Sequence, residues 1–178
     1  MVSLKFENYI IGSLKNKFIY SQMEQIFSTL RVESSGQGLK DITFLITNFI
    51  KENNLKTGLI LLNIMHTSCS LIVNENADPN VLKDLDKYMK SIVPYNSYHD
   101  LTRERKKISY KHYQEGEDDM PAHIKTALTN TSLSFSIQNE KLILGTWQGI
   151  YLWEHRFGNN LRKINIHAIG EIKKNIYN

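Results

Sequence analysis

Gly58-Leu-Ile-Leu-Leu-Asn-Ile-Met65 is the stretch whose reading decides the fold. A nearly continuous apolar run this short, rich in branched side chains, reads as a buried β-strand. His66-Thr67-Ser68 behind it is turn-like, and Cys69-Ser-Leu-Ile-Val73 reads as its partner strand. Toward the N-terminus, Ile42, Leu45, Ile46, Phe49 and Ile50 recur at i, i+3, i+4, i+7 and i+8, the stripe of a helix with one core face. Asp41 can cap that helix and Asn53-Asn54 ends it. Ser34-Ser-Gly-Gln-Gly38 is a loop, and residues 22–34 supply a strand and its approach.

Toward the C-terminus, Asp78-Pro79 starts a second helix, Val81, Leu85, Tyr88, Met89 and Ile92 give it an apolar face, and Pro94 stops it. Residues 95–120 form a long polar segment, the kind of loop that is usually functional or disordered. Pro121 fits the first position of a short third helix. Strands follow at Leu133–Ile137, Leu142–Leu144, Ile150–Trp153 and Lys163–Ala168. In the last, Ile164, Ile166 and Ala168 alternate with Lys163, Asn165 and His167, giving one buried and one polar face. Helices and strands mix without a repeated βαβ beat. The expectation is a single α+β domain with a mixed, largely antiparallel sheet and helices at about 41–52, 79–92 and 121–129.

The 178 residues are 41% hydrophobic and 22% charged, as in an ordinary globular domain. Lys and Arg are scattered among acids, so the net charge of +4 does not specify a nucleic-acid partner. The densest basic group, Arg103, Arg105, Lys106 and Lys107, reads first as a solvated loop and second as a phosphate contact. A single cysteine, Cys69, excludes an intramolecular disulfide and reads as a packed small residue. No apolar run approaches the roughly 20 residues of a membrane span. Glu7, Lys15 and Lys17 interrupt any secretory apolar region. A cytoplasmic protein without a membrane or nucleic-acid partner is expected, with residues 1–20 an N-terminal extension and 21–178 the domain.

The chemistry-bearing stretch is His112-Tyr-Gln-Glu-Gly-Glu-Asp-Asp-Met-Pro-Ala-His-Ile-Lys125. Glu115, Glu117, Asp118 and Asp119 sit between two imidazoles, His112 and His123, at the approach to a helix start. Such a set can hold a metal, an anion or a proton-transfer pair, or be a solvated acidic loop. His66, Thr67 and Ser68 place an imidazole and hydroxyls at a strand end, and Asn74 and Glu75 close the next strand. In a hairpin, His66 and Glu75 would emerge near one edge. Ser68 and Ser70 lack the elbow motif of a nucleophilic serine. Trp147 and Gln148 follow Gly145, and Trp147 can stack on a planar ligand or simply pack. Glu154-His155-Arg156 and Arg162 add ionisable groups at strand ends.

Six stretches together carry a resemblance: Gly36-Gln-Gly-Leu-Lys-Asp-Ile-Thr43, His66-Thr-Ser-Cys-Ser70, Asn74-Glu-Asn-Ala-Asp78, Asp118-Asp-Met-Pro-Ala-His123, Gly145-Thr-Trp-Gln148 and Glu154-His-Arg156. In order and spacing they resemble the YjbQ-like family, also called secondary thiamine-phosphate synthase or UPF0047, over about residues 22–172. Cys69 stands where that family prefers alanine and Ser68 where threonine is usual; residues 1–20 have no counterpart in it.

The resemblance implies an α+β homotrimer with a polar cleft lined by these motifs, a divalent metal (Zn²⁺ or Mg²⁺) in some members, and a small-molecule substrate. It also implies a thiamine-phosphate synthase-like activity that joins a pyrimidine-methyl pyrophosphate to a thiazole phosphate and releases pyrophosphate. On that reading His66, Glu75, Glu154 and Arg162 are the catalytic candidates. Thr67, Ser68, Asn74, Trp147 and Gln148 would bind substrate, and His66, His112 and His123 would hold the metal, with Asp119 or Glu75 fixing imidazole tautomers. Three imidazoles suit Zn²⁺ better than the oxygen-seeking Mg²⁺ that pyrophosphate chemistry favours. A metal-dependent hydrolase and a non-catalytic trimeric metabolite- or metal-binding module are the alternatives.

Overall fold

The computed structural model describes residues 23–173. In chain order the elements are β1 (Met23–Ser35), β2 (Gly38–Asp41), α1 (Thr43–Glu52), β3 (Leu55–Ile64), β4 (Cys69–Glu75), α2 (Pro79–Ile92), β5 (Ser97–His99), β6 (Lys107–Ser109), α3 (Asp119–Ala127), β7 (Ser132–Gln138), β8 (Lys141–Leu142), β9 (Gln148–Glu154) and β10 (Asn159–Ile172). The N-terminal extension expected at residues 1–20 lies outside the described residues.

The strands form a five-stranded sheet in the order β1-β10-β3-β7-β8, a three-stranded sheet β2-β9-β4, and the separate ribbon β5-β6. Every pairing within them is antiparallel. The α+β class therefore stands, with three helices among the described residues.

The two larger sheets face each other across one core. Ile60, Leu62 and Ile64 of β3 and Ile164, Ile166 and Ala168 of β10 meet Leu71, Ile150 and Leu152 of the smaller sheet, with Ile42, Ile46 and Ile50 beside α1. Those three isoleucines are fully buried, so the i, i+4, i+8 stripe reads out directly as packing. The smaller sheet's other face carries Tyr151 and Trp153 against Met89 and Val93 of the α2 region, with Ile124 of α3 packed beside them. β9 is thus buried on both faces.

The expected pairing of β3 with β4 is overturned. β3 lies between β10 and β7, whereas β4 pairs with β9 in the other sheet. Residues 66–68 cross between sheets instead of turning back in one plane. Side by side, two apolar strands would still need cover for their faces; stacked across the core, each covers the other. The glycine that opens the decisive run has its own reason. Gly58 lies opposite Gly170 in the register, and a Cβ on Gly58 would stand 2.2 Å from the Ile169 carbonyl oxygen.

The polar segment 95–120 contains the β5–β6 hairpin, which its alternation was too short to announce. The third helix begins at Asp119 rather than Pro121. Pro121 then falls within the first turn, where backbone N–H groups have no intrahelical acceptor in any case. Asp119 and His123 become one turn apart on one face. Among the described residues no helix is long and apolar enough to cross a membrane.

Candidate metal centre

β9 ends at Glu154 and is followed by His155 and Arg156, and these side chains go to different neighbours. Glu154 points toward the larger sheet. Its Oε2 accepts from Ser34 Oγ (2.7 Å) and Arg162 Nε (2.6 Å), and its Oε1 from Arg162 Nη2 (2.5 Å) and the Arg156 N–H (2.9 Å). Burial opposes ionisation of Glu154, but the bonds from Arg162, Ser34 and Arg156 outweigh it and hold the carboxyl below its usual range. Arg162 is held above its own by the same pair, against the cost of burial. A cavity of about 270 Å³, lined by residues 34–40 and Glu154, opens beside them.

His155 points the other way, toward the helices. It is 1% exposed, and Ser70 Oγ lies 2.9 Å from its Nε2. Burial, with Lys125 nearby, pushes this imidazole down to about 3.

Beyond Arg156 lies the start of α3. Asp118 and Asp119 are 4% and 1% exposed, so both carboxylates need partners. Asp118 Oδ2 accepts from Arg156 Nε (3.1 Å) and the Phe157 N–H (2.6 Å). Asp119 Oδ1 accepts from Arg156 Nη1. Asp119 Oδ2 is different. His112 Nε2 stands 2.6 Å away, yet this buried oxygen has no hydrogen-bond partner among the described residues.

His123, one helical turn on, has its Nε2 3.5 Å from Asp119 Oδ1. Its Nδ1 lies 2.9 Å from the Thr67 carbonyl oxygen, to which it donates. In the neutral ring that fixes the tautomer and leaves Nε2 with a lone pair facing Asp119. The His112 and His123 ring centroids are 5.3 Å apart. One donor atom from each of His112, Asp119 and His123 falls within 4.8 Å of the others. Two imidazoles and one carboxylate whose buried Oδ2 is orphaned fit a divalent transition metal.

Of the three histidines expected at a metal, two meet within the chain. Asp119, expected only to orient them, takes the third place. His66 is outside that group. Its Nε2 accepts the Lys163 N–H (2.8 Å), which occupies the lone pair a metal would use and leaves the proton on Nδ1. Burial, then Arg162, lower its pKa. Thr67 contributes its carbonyl to His123, and Ser68 is half-buried beside it.

The remaining candidates lie at the other end of the smaller sheet, where Glu75 pairs with Gln148. Asn74 Oδ1 accepts the Glu75 N–H, and Glu75 Oε1 the Asp78 N–H (3.3 Å). Gln148 Oε1 accepts the Gly145 N–H (2.7 Å), and Trp147 is 66% exposed. Glu75 and His66 do not share an edge, because the hairpin that would have brought them together does not form.

Asp119 as a candidate metal donor and Arg156 as its partner were missed. The i, i+4 spacing of Asp119 and His123 was the available signal, hidden by starting the helix at Pro121. Cys69 is fully buried and its thiol pushed up to about 12, first by burial, so it is a packed residue.

Residues 28–171 match the profile of a family described as "UPF0047 protein YjbQ-like". The chain is 41% identical over 143 residues to a UPF0047 protein of Synechocystis sp., covering 80% of this chain and 90% of that one. It is 36% identical over 144 residues to the UPF0047 protein YjbQ of Escherichia coli O157:H7, covering 80% and 96%. Among solved structures, a YbjQ-like protein of unknown function from Sulfolobus solfataricus superposes with a TM-score of 0.69 at 24% identity, over 84% of this chain and all of that one. An uncharacterised protein of the YjbQ/UPF0047 family from Clostridium acetobutylicum does so with 0.63 at 30% identity, over 79% and 97%.

Proposed function

The chain belongs to the YjbQ-like UPF0047 family, and on that premise we propose that it is a metal-dependent enzyme acting on a small molecule at His112, Asp119 and His123. The observation that carries this reading is Asp119 Oδ2: a buried carboxylate oxygen with no hydrogen-bond partner, close to an imidazole nitrogen. Leaving such an atom unsatisfied costs about 1–3 kcal/mol, and a cation removes the cost. Zn²⁺ or a similar transition metal suits two nitrogens and an oxygen better than Mg²⁺ does.

A metal held there supplies Lewis acidity toward a carbonyl or phosphoryl oxygen. The chain's own residues do the rest. Asp119, itself buried, brings a carboxylate oxygen. The Thr67 carbonyl orients His123. His112, with its side chain 51% exposed, forms the open wall through which a substrate enters. The test is a panel of phosphate esters, amides and lactones offered to Zn²⁺-loaded protein. Turnover lost on chelation and in His123→Ala supports the proposal; no turnover of any class, or turnover indifferent to both treatments, rejects it.

A second reading, transfer chemistry of the thiamine-phosphate synthase type, draws support from the exposed Trp147 indole, a platform on which a pyrimidine can stack. Purified protein given both precursors and Mg²⁺ should form thiamine phosphate, and Trp147→Ala should raise KM for the pyrimidine. Product no greater than in a protein-free control counts against it.

The homotrimer is likewise proposed. It is supported by the outer face of the larger sheet, where Phe27 stacks on His167 (4.2 Å between centroids) beside exposed Leu59 and Leu61. Light scattering that gives a monomer mass at micromolar concentration rejects it.

A further inference from the structure

We infer that Arg156 is the positioning residue of the metal centre, committing one Asp119 oxygen so that the other is presented to the ion; this rests on His112, Asp119 and His123 being ligands. Three elements meet at its guanidinium. Nε binds Asp118, Nη1 binds Asp119 Oδ1, and Nη2 donates to the Glu115 carbonyl at 2.7 Å. Glu115 lies on the loop that carries His112, while Asp119 belongs to the helix that carries His123. One side chain from the end of β9 thus ties the loop bearing the first imidazole to the helix bearing the second.

The allocation of oxygens is the telling point. A buried carboxylate free to rotate could offer either oxygen, or both, to a donor. Here Oδ1 is held by Arg156 and Oδ2 is left without a hydrogen bond beside His112 Nε2. Asp118 blocks the alternative in which the guanidinium swings away, because the same Asp118 oxygen is also fixed by the Phe157 N–H. Lysine cannot replace this arrangement. Its ammonium is a point charge without the planar fork that reaches two carboxylates and a carbonyl at once. Two buried carboxylates also share this single guanidinium, which leaves room for a cation to complete the neutralisation. Arg162, the buried arginine nearby, gives its hydrogen bonds to Glu154.

The experiment is a Co²⁺ titration of the metal-free full chain, read by visible absorption, with thermal stability measured in parallel. The wild type should bind with a ligand-field band. Arg156→Lys should bind about 10- to 100-fold more weakly, with a shifted band, as expected when the group that orients a metal ligand is lost. A core variant far from the site, Ile137→Ala, should lose comparable thermal stability and keep wild-type affinity and spectrum. Arg156→Lys with wild-type affinity and band, or weakening matched by Ile137→Ala, overturns the positioning role while leaving the ligands standing. A wild type that binds no Co²⁺ overturns the ligand reading and this inference with it. Should Arg156→Lys not fold, Asp118→Asn loosens the guanidinium without touching a ligand. It should weaken binding several-fold, and an unchanged affinity overturns the role.

Discussion

The two ends of the smaller sheet are built from similar residue types and behave differently. Where Cys69 pairs with Glu154, ionisable groups are buried: Glu154, His155 and Arg162, and Asp118 and Asp119 just beyond, are at most 6% exposed. Where Glu75 pairs with Gln148, the polar side chains are exposed or half-exposed and are spent on local turns. At about 3.3 Å per residue along a strand the ends lie about 20 Å apart. Buried charge raises the stakes of every contact, because each group depends on a named partner. Exposed polar groups fall back on water. Within one chain, therefore, residues that look like one site in the sequence are two places, one of buried ionisable groups and one of exposed polar groups.

The sharpest contrast should come from breaking a carboxylate at each end. Glu154→Ala strands the buried Arg162 and should cost about 3–5 kcal/mol in chemical denaturation. Glu75→Ala, half-exposed, should cost under about 1 kcal/mol. Equal losses would erase the difference between the ends.

A pH series tests the buried end next. His155 sits at about 3 in the fold against 6.5 as a free group. Below pH 6.5 the unfolded chain takes up a proton that the folded chain refuses, so stability falls with falling pH down to about pH 3. The slope reaches at most about 1.4 kcal/mol per pH unit. His66, also lowered, works in the same direction. Glu154, whose folded value is depressed, is a stabilising group above the ordinary carboxyl range and loses that contribution as pH falls through its folded value. Denaturation of His155→Gln at pH 7 and pH 5 should show a flatter dependence than the wild type; an unchanged slope would remove His155 as its source. The smallest effect belongs to Trp147→Ala, which should leave stability within about 0.5 kcal/mol, and a large loss would mean that the indole packs rather than waits.

What could be read from the residues alone follows the same division. The α1 stripe and the alternation of Ile164, Ile166 and Ala168 were legible because burial repeats with the period of the element. Asp78-Pro79 was legible as a helix start, and the Asp78 side chain accepts the Asn80 N–H at 2.8 Å. The β3–β4 crossing was not, since an apolar run does not reveal which strand it pairs with. The gathering of His112 and His123 was legible as chemistry. The exchange of His66 for Asp119 was not, because it turns on a backbone N–H at Lys163 and on where α3 begins.

The central claim is that the metal centre lies at the buried end and is made by His112, Asp119 and His123. Equilibrium dialysis against Zn²⁺ with metal analysis tests it most directly. About one ion per chain is expected for the wild type, for Glu75→Gln and for Trp147→Ala, and under about 0.1 for Asp119→Ala and His123→Ala. A wild type below about 0.1 ion per chain, or an Asp119→Ala that retains its ion, would contradict the account.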